Sequence, residues 1–362
     1  MVLGNIIFML VANNIFIKLK KGAKIMFFFY FDENDAIIFK NIFGGGFFNL
    51  PLKWDGKDFL KTIKDYQLEY YKQINVFSPE LSESILEIQN HIYSAIGAYL
   101  NGNPHIAYEK IDELLKKYFS KFTIDEKYNE YMYRMLKVPE NIEYERDRIF
   151  HIPFSLRNTI STNRYSIAGY PCLYLSSNLS LCAEEIKYNP FEYYYISSKY
   201  KITSNKNYKV VLLDLSVRPQ DLLLCNKKES DIIFSRKYSH TNYLLCFPLI
   251  MACSFVRTNK NNPFAPEYIV PQLVLQWIRN AITSYNEKNV VGIKYFSCST
   301  INASKSGYNI VFPTYMKKEK KDYCVVLNEV LKLTKPVLIN DFANLEEAES
   351  HINNLKEYKR AM

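Results

Sequence analysis

No CxxC pair, no GxGxxG fingerprint, no internal repeat and no concentrated basic arm occur in this chain of 362 residues. The seven cysteines (172, 182, 225, 246, 253, 298 and 324) are odd in number and scattered, which argues against a disulfide framework and a thiolate metal site. A reducing, cytoplasmic setting and a metal-free protein are expected. Gly44-Gly45-Gly46 is not followed by Lys-Ser/Thr, so it reads as a flexible turn and not as a phosphate loop. Met1 to Ile17 is apolar but short for a bilayer span and interrupted by Asn5, Asn13 and Asn14; its lysines at 18, 20 and 21 follow the apolar run. No membrane span or secretory signal is expected there. A buried strand or an upstream extension fits better, with Met26 as a second candidate start.

What is present is a globular composition. With 48% apolar residues the chain can bury a full core, and its length suits two domains or one domain with a large extension. The net charge of +9, spread over 23% charged residues, fits an anionic partner, either a phosphate-bearing small ligand or a nucleic acid. No RNP-type aromatic motif or basic stripe supports the latter. The run Lys317-Lys318-Glu319-Lys320-Lys321 contains an acid and reads as a solvated loop.

IMFFFYF and AIIFKNIF, between Lys24 and Phe48, read as two strands around an Asp32-Glu33-Asn34-Asp35 turn. Residues 57 to about 136 carry apolar positions at helical spacing, with a stop and restart at Asn101-Gly102-Asn103-Pro104, so a helical hairpin is expected. His91 and His105 have no evident catalytic partner there. A mainly helical domain is expected over 1–145, a second domain over 146–330 and a helical extension over 331–362.

In the second domain, Pro171 to Leu175 reads as a strand, followed by the cap candidates Ser176, Ser177 and Asn178. Leu179, Cys182, Ala183 and Ile186 then define the buried face of a helix. At about 100° per residue Glu184 points away from that face, whereas Glu185 lies on its flank. YKVVLLDLS, VVGIKYFS and YNIVFP read as further strands, and Tyr323 to Leu327 as one more. The apolar segment Tyr243 to Phe255 has no decisive period. Val274, Trp277, Ile278, Ala281 and Ile282 form a helical stripe after Pro271, with Gln272, Gln276 and Arg279 on another face, and Leu345 to Tyr358 reads as a charged helix.

Arg164, Tyr174 and Glu185 are of the types that a dinucleotide needs. An arginine fork suits a pyrophosphate, an aromatic face suits a nicotinamide or adenine ring, and a carboxylate suits a ribose hydroxyl and the positive charge of a loosening glycosidic bond. These residue types also occur close together in most chains, as a surface arginine, a core tyrosine and a solvated glutamate.

The run RNTISTNRYSIAGYPCLYLSSNLSLCAEEI resembles the core of RES-domain proteins, bacterial proteins named for an arginine, a glutamate and a serine. The resemblance places the arginine at Arg164, the tyrosine at Tyr174, the glutamate at Glu185 and the serine at Ser297 in VGIKYFS, ahead of the strand NIVFP. Ser299 is its neighbour, and Arg157 and Tyr165 are supporting candidates. It implies an α+β, ADP-ribosyltransferase-like fold and an enzyme that consumes NAD as substrate. The acceptor would be water, phosphate or a protein side chain, and no metal is needed. Such proteins are toxins commonly paired with an antitoxin, and an oligomer is compatible with this. A non-catalytic regulator that binds RNA or protein is the alternative. The match departs from compact members in its tyrosine after the arginine, its long N-terminal region and its long glutamate-to-serine separation.

Overall fold

A computed structural model describes residues 9–11, 14–16, 33–124, 129–224, 239–259, 261–285, 289–299, 307–316 and 322–359. The chain is a mixed α and β protein. A hairpin pairs β1 (Met9–Val11) with β2 (Asn14–Phe16), within the N-terminal run for which a buried strand was one expectation. The run 25–31, Met26, the basic run 317–321 and Cys225 lie outside the described residues.

AIIFKNIF is not a strand. It belongs to helix α1 (Glu33–Phe43), because Phe39, Ile42 and Phe43 fall on one helical face and are buried while Ile37 stays exposed. Glu33, Asn34 and Asp35, from the run expected to form a turn, begin this helix instead, and Asp32 lies outside the described residues. Gly44 to Gly46 then breaks it, with Gly46 at φ +75°, a backbone state that glycine adopts without steric cost.

Helices α2 (Phe59–Phe77), α3 (Ser82–Leu100) and α4 (Pro104–Phe122) follow. The α3–α4 hairpin turns at Asn101 to Asn103, with Pro104 at the first helical position, where its missing N–H costs nothing. His91 faces Glu87 of its own helix and Glu113 of α4, and His105 faces Glu109 of its own helix, so each histidine meets carboxylates of the helical hairpin. The helical pattern does not run to 136: β3 (Thr123–Ile124) and β4 (Asn129–Val138) are strands.

After the short helix α5 (Arg146–Ile149), the chain forms β5 (Cys172–Ser176), α6 (Leu179–Ile186), β6 (Tyr194–Thr203), β7 (Lys209–Leu215), α7 (Pro219–Leu224), α8 (His240–Ala252), α9 (Ile269–Tyr285), β8 (Asn289–Phe296) and β9 (Tyr308–Pro313). The strand expected at Tyr323 to Leu327 is instead the start of helix α10 (Val325–Val330). The C-terminal extension is not purely helical, since β10 (Leu331–Leu333) and β11 (Val337–Leu338) precede α11 (Leu345–Asn354).

Strands β3 to β11 form one sheet in the order β10-β6-β4-β5-β9-β8-β7-β3, with β11 also on β6; β7 and β8 are parallel. Its middle is buried on both faces. Val211, Leu213, Val291, Ile293 and Val311 meet the helices α1–α4, α8 and α9, while Val210, Leu212, Val290, Ile310 and Phe312 join the opposite core with α10. This alternation is the period of two of a pleated strand, and burial of both faces explains the consecutive apolar residues Val210 to Leu213 of β7 and Val290 to Ile293 of β8. The division expected at residue 145 does not coincide with a break in packing. Strand β4, before it, is an inner strand, and α2–α4 share one apolar core with α8 and α9.

Helix α8 carries Pro248, which removes the N–H that would bond Leu244 O. The buried Tyr70 hydroxyl of α2 donates to that carbonyl at 2.9 Å. Among the described residues no helix is long and apolar enough to cross a membrane.

Candidate functional site

Beside β4 the sheet is split. Strands β4 and β5 share only the pair Tyr133 and Ser176, and Arg134 on β4 donates Nη1 to Tyr174 O of β5 at 2.9 Å. A cavity of about 440 Å³ opens there, lined among others by Arg134, Arg164, Tyr174, Glu185, Arg257 and Tyr268. This volume is in the range of small-molecule sites.

Arg164 sits in a tight turn in which the Asn163 and Ser166 backbones bond each other, and Gln272 of α9 donates to Asn163 O at 2.9 Å. Only 9% exposed, its guanidinium donates Nη1 to Cys253 O at 3.2 Å and Nη2 to Cys298 O at 3.5 Å. Its centre lies 5.1 Å from the Tyr268 ring, and that of Arg257 lies 5.5 Å from the same ring. Two of five donors are thus committed to fixing the fork.

Tyr174 on β5 shares a 2.9 Å hydrogen bond with Ser166 Oγ, which joins it to the same turn. Burial raises its pKa, so the phenol stays neutral. Burial likewise pushes the Cys298 thiol up to about 11, leaving it protonated beside Arg164.

Glu185 comes from α6. Asn178, one of the three expected caps, accepts from Leu181 N at 2.8 Å and starts the helix. Leu179, Cys182 and Ala183 are buried as the spacing implies. Glu184 and Glu185 are both exposed; Glu185 lines the cavity and Glu184 is not among its lining residues. Asn309, 3% exposed on β9, donates Nδ2 to Glu185 Oε1 at 2.9 Å, and its Oδ1 accepts from Ser176 Oγ at 2.7 Å.

The remaining sequence candidates are placed differently. Ser297 is fully buried and is not a lining residue; its Oγ shares a 3.0 Å bond with Ser299 Oγ, and Ser299 faces the cavity. Tyr165 is 1% exposed and packs on Tyr295 with ring centres 4.6 Å apart. Arg157 is exposed on a separate turn, donating to Phe154 O at 3.3 Å, and does not line the cavity.

Sequence reasoning missed Arg134, Arg257 and Tyr268, and it used Asn309 only to mark a strand. Arg134 lay in a segment read as helical, which hid the strand that aims it. Among the described residues that line the cavity are four cations, Arg134, Arg164, Lys187 and Arg257, and one carboxylate, Glu185. Such an excess concentrates polyanions and leaves Glu185 as the group suited to a sugar hydroxyl or a developing cation.

No protein-family model matches the chain, and no solved structure matches it. Over 321 residues the chain is 29% identical to a protein of Bacillus subtilis (strain 168) described as "Putative toxin YopC", an alignment that spans 83% of this chain and 70% of that protein.

Proposed function

We propose that the cavity binds NAD and cleaves its nicotinamide–ribose bond, as a glycohydrolase or phosphorylase with an ADP-ribosyltransferase-like RES fold. The observation that carries this reading is the fixed Glu185 facing a cavity with Arg164 and Tyr174. Arg164, with Arg134 and Arg257 nearby, would hold the diphosphate through charge-assisted hydrogen bonds. Tyr174 would orient the nicotinamide end.

With Asn309 holding Oε1, the other Glu185 oxygen is left to accept a ribose hydroxyl. As the bond from ribose C1′ to the ring nitrogen breaks, its electron pair leaves with nicotinamide, which becomes neutral. The positive charge left on the ribose is stabilised by the Glu185 carboxylate. Water or phosphate then bonds to C1′ and gives up its proton. Ser297 supports Ser299 at the wall and does not touch the substrate. The similarity to a protein described as a toxin supports a toxic role; an antitoxin or immunity partner is part of the proposal and would follow from that role.

Purified protein incubated with NAD, with and without phosphate, tests the proposal. Release of nicotinamide that is lost in Glu185→Ala with the fold intact is the expected result, and the ribosyl product identifies the acceptor. Absence of turnover under every acceptor condition would overturn it.

A further inference from the structure

A second cavity, of about 420 Å³, lies behind the segment that carries Arg257 and Tyr268. Trp54, Phe59, Leu100 and Phe264 supply apolar wall, while Lys57, Asp58 and Glu267 bring the charge. Glu267 is the unusual member. It is 2% exposed, and its Oε1 accepts from Trp54 Nε1 at 2.7 Å and from Thr258 N at 2.9 Å. Both donors are neutral, and among the described residues no cation pairs with it.

A buried carboxylate that lacks a countercharge is costly, and two N–H donors fill only part of its acceptor capacity. Trp54, Phe59 and Phe264 add aromatic wall to the same space, and aromatic rings favour a nearby cation over an anion when their faces are offered to it. Carboxylate and rings together select for a positive charge on an apolar stem.

The wall is shared with the candidate site. Asn259 and Asn262 line the second cavity, and their carbonyls accept from Arg257, Asn259 O from Nε at 3.1 Å and Asn262 O from Nη2. Glu267 is followed directly by Tyr268, whose ring lies close to Arg164 and Arg257. A ligand that moves Glu267 or Asn259 therefore moves a candidate-site residue.

We propose that this cavity is a second binding site, for an ammonium or guanidinium group on an apolar stem, and that its occupancy is transmitted to the candidate site through Arg257 and Tyr268. The cation is either a free amine or a basic side chain of a protein. Binding to two sites through one shared segment makes the coupling reciprocal.

Calorimetric titration of the full chain with phenethylammonium, phenylacetate and benzyl alcohol tests the site, with a lysine-containing tripeptide beside the free amine to separate the two sources. Saturable binding of a cation at least tenfold tighter than of the anion or alcohol is expected. It should be lost in Glu267→Gln and weakened at least fivefold in Phe264→Ala, a half-exposed position where folding is not at stake. Equal binding of the three probes, or none, overturns the site. With the cation bound, amide exchange across Val256 to Tyr268 should slow; an unchanged pattern overturns the coupling. Neither readout depends on NAD turnover.

Discussion

Asn309 Nδ2 donates to Glu185 Oε1 at 2.9 Å while Asn309 Oδ1 accepts from Ser176 Oγ at 2.7 Å, so one buried amide sets the position of a carboxylate on another element. The serine hydroxyl fixes which way the amide faces. Asn309→Ala should therefore lower kcat for NAD cleavage by about a hundredfold while leaving KM nearly unchanged, the size expected when a reacting group shifts by about 1 Å. Glu184→Ala should retain full turnover. Steady-state kinetics of both variants check this, and a dead Glu184→Ala beside an active Glu185→Ala would reverse the assignment.

Arg134 offers a second test, because its Nε is buried with no hydrogen-bond partner while Nη1 holds Tyr174 O. Arg134→Met keeps the volume and removes the charge. A charge-assisted hydrogen bond is worth about 1.5–3 kcal/mol, so NAD affinity should fall at least tenfold, together with a shallower dependence on salt. Binding titrations at two ionic strengths measure it.

Tyr70→Phe should destabilise the protein by about 1–3 kcal/mol, because it strands the Leu244 carbonyl that Pro248 has already left without its helical partner. Denaturant unfolding at neutral pH gives the value. The paired change Tyr70→Phe with Pro248→Ala should recover part of the loss by restoring the N–H.

Alkaline pH should unfold the chain. Burial pushes the thiols of Cys298 and Cys182 up to about 11 and about 12 from an ordinary value near 9. It also raises the phenols of Tyr165, Tyr174 and Tyr295. The folded state holds these protons more tightly than the unfolded one, so their contribution is complete below about pH 9 and is lost as pH rises through 11 and 12. The melting temperature should be level from pH 7 to 9 and fall above that. Tyrosine ionisation, followed by ultraviolet absorbance, should then coincide with unfolding.

Local signals in the sequence were legible where one face of an element decided its structure. Asn178 and the Leu179, Cys182 and Ala183 face located α6 and chose Glu185 over Glu184, and the turn at Asn101 to Asn103 located the α3–α4 hairpin. Short apolar segments were misread, because AIIFKNIF and Tyr323 to Leu327 satisfy a strand by composition while their burial follows a helix. The helical reading up to 136 concealed β4. Its place between β5 and β6 is fixed by strands far away in sequence, and with it went Arg134. Arg257 and Tyr268 were invisible for a related reason, since their role comes from stacking near Arg164 and no spacing encodes that.

The split between β4 and β5 also has a bearing on how the chain is made. Its cavity draws on residues from Tyr133 to Asn309, and Glu185 waits 124 positions for the amide that fixes it. A growing polypeptide that has already emerged past Arg164, Tyr174 and Glu185 holds all three without a finished pocket. During translation the cavity therefore gains the amide that fixes Glu185 only after β9 has left the ribosome.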